Sequence, residues 1–156
     1  MEHANYLKLA VEEARKGMRA GEGGPFGALL VKDGEIISIK HNTVLVSHDP
    51  TAHAEINVIR DASLKLKSPH LEGSVLYTNF EPCPMCLSAI YWAGIERVYY
   101  CAGKEEAEKA GFMDSKLYEE LKLNPAERSV PVLRVELEDM TDFLEEWNDK
   151  EDRILY

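Results

Sequence analysis

The chain has 156 residues, which fits one compact domain built around a single core. Its formal net charge is −10, and no run of lysine and arginine offers the phosphate-neutralising face of a nucleic-acid binder. The negative charge favours a small, uncharged substrate. Three cysteines do not make a disulfide framework and no apolar run is long enough to span a membrane, so we expect a cytoplasmic protein.

The first half of the chain predicts a helix, a hairpin and a second helix. Apolar residues recur at helical spacing from His3 to Gly21, where the glycine ends the helix. Two β-prone runs follow, joined by Asp33-Gly34, a dipeptide that accommodates the positive φ of a tight turn. Apolar residues four positions apart in 52–66 predict the second helix, with Thr51 as its N-cap.

The second half alternates strands and helices. Residues 74–79 predict a strand, 84–93 a helix closed by Gly94, and 97–101 a strand parallel to the first. A helix at 115–123, a strand at 131–137 and an acidic helix from Met140 follow. A hairpin followed by such alternation favours an α/β fold, a three-layer α/β/α domain around a mixed sheet.

The stretch EPCPMC places Cys83 and Cys86 three positions apart, which suits either a redox dithiol or half of a metal site. A redox pair usually opens a helix directly after the first parallel strand of a thioredoxin-like unit. Here the pair follows a hairpin and a helix, which weakens the redox interpretation.

A second cluster supplies partners for these cysteines. TAHAE places His53 and Glu55 at the beginning of the second helix, as PCPMC places the cysteines at the beginning of the next one. Cysteines at i and i+3 share one helix face, and the positive helix end favours their thiolates. Two thiolates and one imidazole neutralise Zn²⁺ and leave a fourth position for water, whose proton Glu55 could take. HxE followed by PCxxC is the signature of zinc nucleobase deaminases.

A closed structural zinc site is the main alternative. Cys101, on a predicted strand, would then complete a Cys₃His set. The remaining histidines are interpreted as loop or surface residues: His3, His41, His48 and His70.

Several stretches together resemble the cytidine deaminase superfamily and, more closely, the small bacterial guanine deaminases. They are GGPFGALLVKDG, HN at 41–42, DPTAHAE, EPCPMCLSAIYWAG, AGFMDS and the final Tyr156. The resemblance runs nearly end to end and implies a five-stranded sheet, one catalytic zinc per subunit, and hydrolysis of guanine to xanthine and ammonia. It also implies a homodimer in which the C-terminal segment, about residues 138–156 of the single domain 1–156, is exchanged between subunits.

The resemblance assigns the chemistry to five residues. His53, Cys83 and Cys86 become the zinc ligands and Glu55 the proton shuttle. Asp114 in AGFMDS matches a second acidic residue, which accepts a hydrogen bond from the guanine amine and helps to move protons. The bare pattern gives Asp114 a different role, because Asp before Ser is also a good helix N-cap.

Five further residues are candidates for the base-binding surface. Asn42 matches a family position that binds the base through its amide, and we expect the Phe26 ring to stack on the purine and the backbone N–H of Ala54 to bind a carbonyl oxygen. Trp92 lines the same pocket, and Tyr156 closes the pocket of the neighbouring subunit. Without the resemblance, each residue has an ordinary structural role. Asn42 suits a turn, Phe26 a core aromatic, Ala54 a helix start, Trp92 helix packing and Tyr156 a frayed terminus.

Three related activities compete with guanine deamination. A tRNA adenosine deaminase shares HAE and PCxxC, but residues 136–156 carry nine acids against two bases, which would repel RNA. Cytosine deaminase uses the same zinc and glutamate on a smaller ring, and guanosine deaminase requires a closing segment that leaves room for ribose. A non-catalytic zinc-binding module belongs to a different functional class.

Overall fold

The computed structural model describes residues 3–137 and 140–155, which fall into two compact units, Met1–Ser115 and Lys116–Tyr156. Within these described ranges no helix combines the length and apolarity needed to cross a membrane. The helices are α1 His3–Ala20, α2 Val44–Ser47, α3 Ala54–Leu66, α4 Pro84–Trp92, α5 Lys104–Lys109, α6 Asp114–Lys122 and α7 Met140–Asp149, with a 3₁₀ turn at Pro125–Glu127. The strands are β1 Gly27–Lys32, β2 Glu35–His41, β3 Ser74–Phe80 and β4 Arg97–Ala102.

The four strands form one mixed sheet in the order β2-β1-β3-β4. The predicted hairpin is confirmed: β1 and β2 are antiparallel, and the turn between them places Asp33 at φ 51° and Gly34 at φ 81°. The predicted parallel pair of β3 and β4 is also confirmed, while β1 and β3 are antiparallel.

Helices cover both faces of this sheet, which confirms the three-layer α/β/α class. Alternate residues of β1 point to opposite layers, as the two-residue period of a strand requires. Leu29 and Val31 pack with Tyr6 of α1, whereas Ala28 and Leu30 pack with residues of α3 and α4. The two helices that carry the predicted metal ligands therefore lie on one face, and α1 lies on the other.

Two sequence expectations need correction. Residues 131–137 form no strand, so the sheet has four strands among the described residues instead of five. A β-prone segment becomes a strand only when a neighbour completes its hydrogen-bond ladder, and here the segment is exposed, with Val135 at 87%. The N-cap of α3 is His53 and not Thr51, whose N–H and hydroxyl both bind Asp49 in the preceding turn.

Candidate active site

The predicted metal ligands sit at the starts of two neighbouring helices. His53 is the N-cap residue of α3 and Cys83 is the N-cap residue of α4, both with extended backbone. Pro84 occupies the first helical position of α4, where its missing N–H costs nothing, and Cys86 follows two residues later. The side chains of His53, Cys83 and Cys86 converge, as the sequence predicts.

The spacing of these three side chains fits a zinc ion. His53 Nδ1 lies 3.6 Å from Cys83 Sγ and 3.5 Å from Cys86 Sγ. Zinc bonds of about 2.3 Å to sulfur and about 2.0 Å to nitrogen, set at a tetrahedral angle, place such atoms roughly 3.5 Å apart. Two thiols and an imidazole are also the donor set that zinc prefers, so residues and group are compatible.

The two sulfurs carry different protonation states. A hydrogen bond with Cys86 lowers the pKa of Cys83 to about 4, against the opposing effect of burial and with help from His53. The same sulfur–sulfur contact, together with burial, raises the pKa of Cys86. Cys83 is therefore a ready thiolate, and a cation that binds both sulfurs displaces the proton of Cys86.

Glu55 lies next to the three converging side chains and is not one of them. It occupies the first turn of α3, is 6% exposed, and accepts a hydrogen bond from the Thr78 hydroxyl at 3.4 Å. Burial is the main cause that raises the pKa of this carboxyl. A raised pKa makes a carboxyl easier to protonate than an exposed one, which suits a group that must both take up and release a proton.

A cavity of about 410 Å³ opens in front of this group, a volume in the range of small-molecule sites. Its wall contains two of the metal-ligand residues and three carboxylates from separate elements. The lining residues are Gly23, Gly24, Phe26, Asn42, Val44, Leu45, Pro50, His53, Glu55, Phe80, Glu81, Cys83, Phe112 and Asp114.

The predicted base-binding Asn42 lies in this wall with a fixed orientation. It is 4% exposed, and its Oδ1 accepts hydrogen bonds from the N–H groups of Gly24 at 3.3 Å and Val44 at 3.1 Å. Its own N–H donates to the Phe26 carbonyl at 2.9 Å. Because both amide contacts use Oδ1, the Nδ2 hydrogens are the group left to offer to a ligand.

An aromatic group forms another part of the wall. Phe26 contacts Phe80 and Phe112 edge-on, with ring centroids 5.1 Å and 4.6 Å away. Asn79 holds the loop before Phe26: it accepts from the Gly27 N–H at 2.9 Å and donates to the Pro25 carbonyl at 2.8 Å. The sequence analysis missed Phe80, Phe112 and Asn79, although Phe80 directly precedes EPC and Phe112 stands within AGFMDS.

Asp114 also lines the cavity, as the first residue of α6. Burial raises the pKa of its carboxyl, and the negative charges of Cys83, Glu108 and Glu81 act in the same direction. The cavity thus holds two carboxyl groups, Glu55 and Asp114, that are easier to protonate than exposed carboxyl groups.

Other predicted residues stand apart from the cavity wall. Ala54 is the fully buried first residue of α3, so its N–H is one of the donors that a helix leaves unpaired in its first turn. Trp92, at the end of α4, is 73% exposed and is absent from the lining, so the single chain does not place it in the pocket. Tyr156 lies outside the described residues.

Cys101 does not join the converging group of His53, Cys83 and Cys86. Its Sγ donates a hydrogen bond to the Asn79 carbonyl at 3.2 Å. The alternative of a closed structural zinc site with Cys101 as the fourth ligand is therefore wrong.

Comparison with known proteins agrees with this geometry. Guanine deaminase of Bacillus subtilis (strain 168) is 47% identical over 147 residues, which cover 94% of this chain and 94% of that relative. The X-ray structure of guanine deaminase from Bacillus subtilis matches with a TM-score of 0.97 at 45% identity, over 100% of this chain and 99% of that one. A tRNA-specific adenosine deaminase of Aquifex aeolicus is 46% identical over 97 residues, covering 62% of this chain and 64% of the relative.

The family model of the cytidine and deoxycytidylate deaminase zinc-binding region matches residues 1–102. This range contains the three converging side chains, Glu55 and most of the cavity wall. The chain belongs to the cytidine and deoxycytidylate deaminase family.

Proposed function

We propose that this protein is a zinc-dependent guanine deaminase, which hydrolyses guanine to xanthine and ammonia. The observation that carries the proposal is the joint position of a zinc-compatible donor set, two carboxyl groups and a fixed amide around one cavity. The choice of guanine rests on similarity along 94% of the chain to the Bacillus subtilis enzyme, whereas similarity to the Aquifex aeolicus tRNA enzyme covers 62%.

One zinc ion per subunit is held by His53, Cys83 and Cys86. Bound there, zinc acts as a Lewis acid and lowers the pKa of a water molecule toward neutrality. Both sulfurs must stay reduced to hold the metal, and all three cysteines of the chain are free thiols. The protein therefore belongs in a reducing compartment, which we take to be the cytoplasm.

Glu55 moves the protons of the reaction. Its carboxylate takes the proton of the attacking water and passes it to the ring nitrogen beside C2, the carbon that bears the amine. Glu55 then passes the proton of the new C2 hydroxyl to the departing nitrogen, so that ammonia leaves, the C–N bond breaks and the hydroxyl becomes the C2 carbonyl of xanthine. The raised pKa of Glu55 makes this carboxyl easier to protonate than an exposed one, which suits a group that must hold a proton between two transfers.

Asn42 and its neighbours recognise the base. The Nδ2 hydrogens of Asn42 donate to an acceptor on the purine, since Oδ1 is already bound by Gly24 and Val44. Phe26 contacts the ring, and the unpaired N–H of Ala54 at the start of α3 suits a carbonyl oxygen. This donor arrangement matches the acceptor edge of guanine formed by its carbonyl oxygen and ring nitrogens.

Asp114 faces the amine that is lost. As a carboxylate it accepts a hydrogen bond from the exocyclic amine and so orients this group while Glu55 delivers the proton with which it leaves. A substrate without an amine at this position leaves the Asp114 carboxyl without a partner, which disfavours binding.

The experiment is a parallel ammonia-release assay on zinc-loaded protein. Guanine, guanosine, cytosine and adenine are offered separately, and Glu55→Gln protein serves as the blank. Turnover of guanine alone supports the proposal. Turnover of guanosine or cytosine instead keeps the zinc chemistry but rejects the base assignment. If zinc-loaded protein releases no ammonia from any of the four substrates, the result favours a non-catalytic zinc-binding module.

We further propose a homodimer with exchanged C-terminal segments. Among the described residues, β4 is the last strand at one edge of the sheet, and proteins normally cover the backbone groups that such an edge exposes. Residues 131–137 are exposed and β-prone, with Val132 at 59% and Leu133 at 69% exposure. The same segment of a second copy can supply the fifth strand that the single chain lacks.

Exposed aromatic residues give the same arrangement a second support. Tyr91 and Trp92 at the end of α4 are 79% and 73% exposed, an unusual state for two adjacent large aromatics. In the proposed dimer Trp92 reaches the pocket region of its partner, and Tyr156 of one chain closes the pocket of the other.

Mixing two inactive variants tests the exchange. Glu55→Gln protein keeps an intact tail, and Tyr156→Ala protein keeps an intact Glu55. If the tail of one chain closes the pocket of the other, mixed dimers regain guanine turnover, because one of their two sites combines both intact parts. No recovery after verified subunit exchange rejects the swap, and a monomer in sedimentation analysis rejects the dimer.

A further inference from the structure

His41 is the least expected side chain near the cavity, because the sequence suggested an ordinary loop or surface histidine. The structure bonds both of its ring nitrogens to carboxylates. Nδ1 lies 2.9 Å from Glu13 Oε1 in α1, and Nε2 lies 2.7 Å from Glu22 Oε2 in the following loop. Only an imidazolium can donate a hydrogen bond from both nitrogens at once.

The ring is held in place by packing as well as by charge. A Cβ at Gly17 would lie 2.2 Å from His41 Cδ2, so the ring rests directly on the backbone of α1. The His41 carbonyl accepts from Asn57 Nδ2 at 3.0 Å, and its backbone pairs with Gly27 of β1. His41 therefore ties the end of β2 to α1, α3 and the loop that begins at Gly21.

Glu22 connects this histidine to the recognition group of the cavity. The Glu22 carbonyl accepts from the N–H groups of Leu45 and Val46, both at 3.1 Å, and thereby holds α2. Gly24, two residues after Glu22, and Val44, one residue before Leu45, are the two donors to Asn42 Oδ1. Both bonds that orient the Asn42 amide thus come from segments that Glu22 fixes.

The electrostatic surroundings favour the charged ring. Burial lowers the pKa of His41, but the hydrogen bonds that the ring donates to Glu22 and Glu13 outweigh this effect, and the net direction is upward. On the α1 side, Lys16 pairs with Glu13 at 2.8 Å. The groove on the α3 side carries Lys40 and Arg60, whose charges are offset by Asp61 and Asp49.

We propose that His41 is a positioning residue for substrate binding, which acts through Glu22 to hold the Asn42 amide in the orientation that recognises the base. The inference rests on the proposed guanine deaminase activity and adds a determinant of affinity that does not touch the substrate. Loss of the imidazolium loosens the Glu22 segment, and the Asn42 Nδ2 group then meets the base less often in the productive geometry.

Steady-state kinetics of His41→Gln protein provide the test, with His70→Gln as the matched control. His70 is exposed and lies outside the cavity wall. We expect His41→Gln to raise KM for guanine roughly tenfold, the worth of one well-placed hydrogen bond, with kcat and zinc content nearly unchanged. We expect His70→Gln to match the wild-type enzyme.

The pH profile separates positioning from a merely structural role. A histidine with a raised folded-state pKa contributes its interaction fully at low pH and loses it as pH rises through that pKa. Wild-type KM should therefore rise over this interval, whereas KM of His41→Gln should lack that step. Glu22→Gln removes one of the two negative partners, so the step should move to lower pH.

Two results would overturn the inference. One is a His41→Gln enzyme with the KM of the His70→Gln control, and the other is a Glu22→Gln enzyme whose KM step stays at the wild-type pH. If His41→Gln protein does not fold, Glu22→Gln decides, and an NMR titration of the histidine ring without substrate measures its pKa directly. Wild-type protein that never deaminates guanine refutes the proposed function instead, before any variant is compared.

Discussion

Replacing Gly23 with alanine tests the placement of Asn42 most directly. A Cβ on Gly23 would lie 2.1 Å from Asn42 Oδ1, 2.4 Å from its backbone oxygen and 2.8 Å from its carbonyl carbon. Gly23 does not adopt a positive φ, so its backbone conformation is open to alanine. The collision with Asn42 is then the main consequence of the substitution.

The size of the effect follows from these distances. Carbon and oxygen atoms approach no closer than about 3.3 Å even in favourable contacts, so Asn42 must move by roughly 1 Å. Overpacking of this kind costs about 1–3 kcal/mol of unfolding free energy. A misplacement of about 1 Å can cost up to ~100-fold in rate or affinity, and we expect KM for guanine to rise by at least ~10-fold.

The assay combines urea unfolding with steady-state kinetics, and Gly34→Ala serves as the control. Gly34 has φ 81° and nothing within 4 Å of an added Cβ, so alanine there strains the hairpin turn without touching the cavity. It should cost about 1 kcal/mol of stability and leave KM unchanged. If Gly23→Ala protein has the KM of the wild-type enzyme, the proposed placement of Asn42 in base binding is wrong. It is also wrong if Gly34→Ala raises KM as much as Gly23→Ala does.

Three further substitutions separate metal binding from proton transfer. Glu55→Gln should reduce kcat by about 10²–10⁴-fold or more, while metal analysis still finds one zinc per chain; loss of zinc would make Glu55 a ligand. Asp114→Ala should reduce guanine turnover far more than zinc content. An equal loss of both would show that Asp114 maintains the folded structure and has no specific role in the reaction. Cys86→Ser should lose zinc and turnover together and lower the melting temperature, because the metal stabilises only the folded chain; retained zinc would contradict the ligand set.

The metal-binding part of the site could be predicted because its pattern is local. His53 and Glu55 are two positions apart, Cys83 and Cys86 are three apart, and each pair begins a helix that the apolar spacing already indicates. Local patterns of this kind determine which side chains leave a helix start together. The sheet then needs only to bring two helices to one face, which the alternation of strands and helices predicts.

The missed features depend on partners that are distant along the chain. His41 gains its role from Glu13, 28 positions away, and Glu22, 19 positions away, and neither separation belongs to a periodic pattern. For residues 131–137 the sequence predicted a strand that the structure does not form. Their composition favours a strand, but composition does not specify a pairing partner. In both cases the determining interaction is between segments, so inspection of one segment could not reveal it.

The side chains that we propose for the chemistry and for base recognition come from different elements of the fold. Glu55 and the three metal-binding side chains belong to α3 and α4, which are packed on one face of the sheet through fully buried residues. Asn42 belongs to the end of β2, and its amide is oriented by the loop and short helix that Glu22 and His41 hold. Because the groups that orient the Asn42 amide are not the side chains that converge near Glu55, we expect substitutions that displace Asn42 to change base binding more than zinc content.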